Sequence, residues 1–95
     1  MPIQTVNPAT GEKLKQFTPL SPAALDQKLE KAARAFRAHR ATSFSARASK
    51  LVRAAELLET EKEKWGRLLT LEMGKLYTAS IEEVEKCART CRYYA

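Results

Sequence analysis

The sequence predicts a mainly helical chain with an N-terminal β-hairpin and four helices. Three observations carry that prediction. Long stretches lack both glycine and proline, and only three glycines occur in 95 residues, which favours helices over a many-stranded sheet. Apolar residues recur three and four apart in four successive segments, the period of an amphipathic helix. One stretch near the start, NPATGE (7–12), is dense in turn residues and lies between two β-prone runs.

The hairpin spans residues 3–18. Ile3 to Val6 is β-prone, NPATGE turns the chain, and KLKQFT (13–18) alternates in part. A two-stranded ribbon is marginal in water, so this one needs something to pack on. Pro19 and Pro22 close the segment, and the helical part covers 21–95. The first helix starts at Ser21, whose oxygen can accept from orphan N–H groups, with Pro22 in the first turn. Its stripe is Leu25, Leu29, Ala32 and Phe36, ending near Arg40. Thr42 or Ser43 caps the second helix, whose stripe is Ala48, Leu51, Val52, Ala55 and Leu58.

At Thr60 the sequence TEKE places Glu63 three residues after a threonine, the capping-box pattern. It reads as the start of a third helix or as a kinked continuation of the second. Trp65, Leu68, Leu69 and Met73 form the apolar face, and Gly74 suits the left-handed residue that closes helices. Gly66 inside the helix weakens it by about 1 kcal/mol relative to alanine, and its small size would let another element approach closely. Ser80 and Glu83 form a second capping box, with Thr78 as a competing cap. Ile81, Val84, Ala88, Cys91 and Ala95 make the last stripe, leaving Glu82, Lys86, Arg89 and Tyr93 on the opposite face. No stop signal follows Tyr94, so the final helix reads as unfinished and the terminus as cut.

The net charge of +6 permits an acidic partner. Yet no two Lys or Arg are adjacent and most alternate with Glu or Ala, the pattern of a solvated helical surface. No apolar run is long enough to span a bilayer. The start, MPIQTVNPATG, has neither a basic lead nor an apolar core and is no signal peptide, so a cytoplasmic location is expected.

Candidate chemistry is sparse. Cys87 and Cys91 project from one side of a helix, but zinc needs four ligands and the only histidine, His39, is two helices away. A redox pair is usually C-x-x-C at a helix N-terminus, so small buried apolar residues is the expected role. His39 sits between Arg37 and Arg40 near a helix C-terminus, where it eases the dipole. Neither G-x-G-x-x-G nor a P-loop can be built from three scattered glycines. Arg34, Arg37 and Arg40 could meet phosphates, but no recognition helix follows them. The residues taken one by one define no catalytic, cofactor-binding or metal site.

Taken together, several stretches resemble the N-terminus of the NAD(P)-dependent aldehyde dehydrogenases. These are TVNPATGE (5–12), AFRAHRATS (35–43), SARASKLVRAAELLE (45–59), LLTLEMGK (68–75) and EVEKCARTCRYYA (83–95). The resemblance covers essentially all 95 residues in order and is nearest to the succinate-semialdehyde dehydrogenases. His39, where most members carry an aromatic residue, and Leu76, where a proline usually follows GK, depart from the family pattern.

The resemblance implies that 1–95 is a single N-terminal segment of a longer α/β subunit with a Rossmann-like dinucleotide domain, a catalytic domain and an oligomerisation arm. It implies hydride transfer from a thiohemiacetal on a catalytic cysteine to NAD or NADP, then glutamate-assisted hydrolysis of the thioester. An asparagine side chain and a backbone N–H supply the oxyanion hole. All these residues belong to motifs beyond Ala95, so this chain alone is expected to bind no cofactor and to be inactive. The implied partners are the remainder of the subunit, a small aldehyde and further copies in a homo-oligomer, with neither nucleic acid nor membrane. The resemblance also implies that the last helix runs past the substrate entrance, and on that footing Lys86 and Arg89 are the residues expected to attract an anionic aldehyde. Two alternative roles are a free-standing helical protein-interaction module and a basic nucleic-acid-binding domain.

Overall fold

A computed structural model describes residues 2–95. Two strands are followed by four helices: β1 (Ile3–Val6), β2 (Lys13–Phe17), α1 (Pro22–Arg40), α2 (Phe44–Thr60), α3 (Lys62–Met73) and α4 (Tyr77–Tyr94). The strands pair antiparallel, Ile3 opposite Phe17 and Thr5 opposite Lys15, with a register shift between Thr5 and Val6.

The turn chemistry foreseen in NPATGE is realised bond by bond. The Asn7 side-chain oxygen accepts from the Ala9 N–H at 3.0 Å, and the Thr10 hydroxyl accepts from the Glu12 N–H at 3.2 Å. The Gly11 N–H donates to the Asn7 carbonyl at 2.8 Å, and Gly11 takes φ of 77°, where a side chain would be strained.

Helix α1 starts at Ser21, whose hydroxyl accepts from the Ala24 N–H at 3.1 Å, and ends at Arg40 with Arg37 and His39 in its last turn. Basic groups there complement the partial negative charge of the helix end. Its apolar stripe finds no partner: no residue of α1 is buried, and Leu29 and Phe36 are 61% and 62% exposed. Ser43, rather than Thr42, caps α2, accepting from the Ala46 N–H at 3.1 Å. Thr42 instead donates its hydroxyl to the His39 carbonyl.

Two capping boxes expected from the sequence do not form. The Thr60 hydroxyl turns back to the Glu56 carbonyl, and α3 has no side-chain cap. Glu61 alone leaves the helical region, at φ −107° and ψ 21°, so α2 and α3 form one kinked rod. Ser80 lies inside α4, which begins three residues earlier behind Leu76. There Ser80 is fully buried, and its hydroxyl shares a 3.0 Å hydrogen bond with that of Thr70. The serine bonds across to α3 instead of to its own helix start.

Helix α4 runs antiparallel along the α2–α3 rod. Cross-contacts occur in order: Arg92 with Glu59, Glu85 with Lys62, Ile81 over Gly66, Ser80 with Thr70. The core along this seam is small, formed by Ala55, Gly66, Ser80, Val84 and Ala88. Gly66 permits the closest approach, since a Cβ there would lie 2.7 Å from Ile81 Cδ1. The packed face of α3 centres on Gly66, with Trp65 and Leu69 of the predicted stripe half-buried and its Leu68 and Met73 47% and 74% exposed. Gly74 closes α3 at φ 69°. A Cβ there would sit 3.0 Å from Pro8 Cγ, so the hairpin turn rests on the end of α3.

Candidate functional site

An open, shallow surface lies along α4. A shallow groove is lined by Lys75, Glu83, Lys86, Cys87, Arg89 and Cys91, with Ala79, Glu82 and Thr90 between them. A second hollow continues along the helix past Tyr93 and Tyr94, whose rings meet edge to face at 5.0 Å. Helical periodicity places Lys86 and Arg89 together on this surface, three residues apart. Both are exposed, and neither takes part in an ion pair among the described residues. Lys75, by contrast, is paired with Glu83. The groove thus holds two unengaged cations and one unengaged carboxylate, Glu82.

The ion pairs that fasten α4 lie on its other flank. Arg92 donates to both oxygens of Glu59, at 2.9 and 2.7 Å, and Lys62 donates to Glu85 at 2.7 Å. The hydrogen bond from Arg92 holds the Glu59 carboxyl below its ordinary range, and that from Lys62 does the same for Glu85. In return, Glu85 raises the Lys62 ammonium above its ordinary value. Sequence periodicity did not reveal these pairs, because Glu59 and Arg92 are 33 residues apart and only the fold brings them together.

Cys87 and Cys91 lie on successive turns as the spacing requires, but the expected burial fails for the first. Cys87 is exposed, Cys91 is half-buried, and both are free thiols. Cys87 falls beside the packed line of Val84, Ala88 and Cys91 instead of within it. Among the described residues, no three His, Cys, Asp or Glu side chains gather closely enough to hold a metal ion. His39 is exposed at the end of α1.

A common dinucleotide site is a glycine-rich turn between a strand and a helix N-terminus. The three glycines here turn the hairpin, admit Ile81 and close α3. None of the three forms such a turn.

Hairpin, kinked rod and antiparallel helix set the frame for comparison with known proteins. Residues 1–95 match the aldehyde dehydrogenase family, and the chain belongs to that family. It is 45% identical over 95 residues to a protein of Mycobacterium bovis (strain BCG / Pasteur 1173P2) named succinate-semialdehyde dehydrogenase, NADP(+), 1. It is 45% identical over 96 residues to a Mycobacterium avium (strain 104) protein named succinate-semialdehyde dehydrogenase, NADP(+). A Synechocystis protein named as a probable enzyme of the same kind is 42% identical over 95 residues. Each alignment takes in 100% of this chain and 20–21% of the relative, so the chain spans about one fifth of their length.

Proposed function

We propose that residues 1–95 are the N-terminal structural segment of an oxidoreductase that converts an aldehyde, specifically succinate semialdehyde, to the acid with NADP. The observation that carries this reading is the 42–45% identity, over the whole chain, to proteins named succinate-semialdehyde dehydrogenases. Surface supports it too. A compact monomer of 10.7 kDa exposes about 5,500 Å², whereas this chain exposes 7759 Å². The surplus is what a segment normally covered by a catalytic body would show. The parent subunit has the Rossmann-like α/β fold of its family, is cytoplasmic and assembles into homo-oligomers, while the 95 residues alone are inactive.

The test is an absorbance assay for NADP reduction by the polypeptide that carries this segment at its N-terminus. Succinate semialdehyde should be oxidised faster than uncharged aldehydes. A preference for uncharged aldehydes would remove the substrate, and no aldehyde oxidation at all would remove the function.

Lys86 and Arg89 carry the second part of the proposal. Exposed cations near a substrate entrance raise the local concentration of an anionic substrate, an effect screened by salt. In the full-length enzyme, Lys86→Glu should raise KM for succinate semialdehyde severalfold at low ionic strength and much less at high, with kcat unchanged. A KM that is unaltered at both ionic strengths would reduce Lys86 to a solvated surface charge.

A further inference from the structure

Helix α4 carries two free thiols one turn apart on the wall of an open groove, and the packing described above leaves Cys87 exposed. Geometry rules out a bond between the two. Side chains at i and i+4 hold their Cβ atoms about 5–6 Å apart, whereas a disulfide needs about 3.5–4.5 Å. The pair therefore does not close into a disulfide with itself as long as the helix is intact.

The same separation suits a single atom seated between the two sulfurs. Each sulfur then bonds to the shared atom and not to the other sulfur, so the two can stay much farther apart than in a disulfide. Side chains four residues apart on one helix are neighbours, and rotation about χ1 is the motion that brings their sulfurs toward one shared atom. Zinc needs two further ligands, and Glu83, one turn before Cys87, is held by Lys75. A centre that brings its own remaining substituent and asks the protein for two thiols meets no such lack.

We propose that Cys87 and Cys91 form a two-thiol binding site for trivalent organoarsenicals. An arsenoxide R–As=O reacts with both thiols: two S–H bonds break, two As–S bonds form, and the arsenic-bound oxygen leaves with both protons as water. Arsenic stays trivalent, so no oxidant or reductant is required. The product bridges consecutive turns of α4, so the helical state binds more tightly than the unfolded one and the ligand stabilises the helix. This inference does not depend on the enzymatic function proposed above.

The test is titration of the 95-residue chain with phenylarsine oxide, read by intact mass and by circular dichroism. The wild type should gain one phenylarsenic unit less two hydrogens. Its Tm should rise by roughly 10 °C at a free concentration of about 100 Kd. If the free chain shows no thermal transition, a gain in helix signal replaces the Tm readout. Cys87→Ser and Cys91→Ser should each lose at least tenfold in affinity and show no such rise, while N-ethylmaleimide still alkylates the remaining thiol. Absence of uptake by the wild type, wild-type affinity in either variant, or uptake without stabilisation would each overturn the proposal.

Discussion

Gly66 has no side chain where α3 meets the backbone of α4 at Ile81. A Cβ there would stand 2.7 Å from Ile81 Cδ1 and 3.2 Å from the Ile81 backbone nitrogen. The methyl can rotate away; the nitrogen, fixed in α4, cannot. Gly66→Ala therefore sets two terms against each other. Helix propensity favours alanine by about 1 kcal/mol, while overpacking costs about 1–3 kcal/mol. Because relief requires shifting α4 away from its bonds to Thr70, Glu59 and Lys62, the second term should win. We expect a net loss of about 1 kcal/mol in urea unfolding. Adding Ile81→Ala should restore less than half of any excess strain, since the backbone nitrogen remains. A stabilised Gly66→Ala would show that the seam yields freely. The need for a small residue at 66 was legible in the sequence, because an interior helical glycine demands a reason. Which residue approaches it was not, since Ile81 reaches it only through the antiparallel path of α4. The exposure of Cys87 escaped for a related cause: the seam turns along α4 toward Ser80, Val84 and Ala88, leaving Cys87 just off its edge.

At the scale of elements, boundaries were read well where the local chain alone decides them and poorly where tertiary contacts do. Ser21, Ser43, Gly11 and Gly74 act through bonds to their own neighbourhoods, and each behaves as its residue type suggests. Thr60 and Ser80 sit in equally good capping patterns, but α2, α3 and α4 pack along one seam, which keeps the chain helical through Thr60 and draws Ser80 inside. Consequently Ser43→Ala should destabilise the chain by about 1 kcal/mol, whereas Thr60→Ala should stay within about 0.5 kcal/mol. Paired denaturation curves measure both, and equal losses would mean that Thr60 does cap α3. The ion pairs beside the seam set a pH window. Glu59 and Glu85 have carboxyls lowered from 4.5, so their contribution is fully present above 4.5 and is lost as pH falls through the lowered values. Lys62 is raised from 10.5, so its contribution is present below 10.5 and is lost as pH rises through the raised value. Tm should accordingly be flat between those limits and decline in acid. A Glu59→Gln, Glu85→Gln double variant should decline less steeply, and an acid limb identical to the wild type would remove the pairs from the account. The effect should shrink in salt, because all four side chains are 36–45% exposed.

The whole molecule is a thin plate, with extents of 47 × 38 × 15 Å and a radius of gyration of 17.3 Å. A compact chain of this length would have a radius near 12 Å, and a single helix with its side chains is about 10–12 Å across. Most helical faces therefore have protein on one side only. Four stripes were legible as amphipathic, but a stripe does not name its partner. Those of α2 and α4 met along the seam, whereas that of α1 met nothing among the described residues. Leu29, Phe36, Phe44, Met73 and Leu76 are each more than 60% exposed, and Phe44 reaches 84%. Exposed apolar area of this extent drives association unless a larger body covers it. The isolated 95-residue chain should self-associate, with an apparent mass in sedimentation equilibrium that rises with concentration. Leu29→Glu with Phe36→Glu should weaken that association at least tenfold. The same pair should leave the Tm of the α2–α4 unit unchanged, because α1 shares no packing with it. If the double variant associates as strongly as the wild type, the sticky surface lies elsewhere, with Phe44, Met73 and Leu76 next to be tested. If the wild type stays monomeric at every concentration, α1 must fold back over its own stripe in solution, and the plate described here would not be its free form.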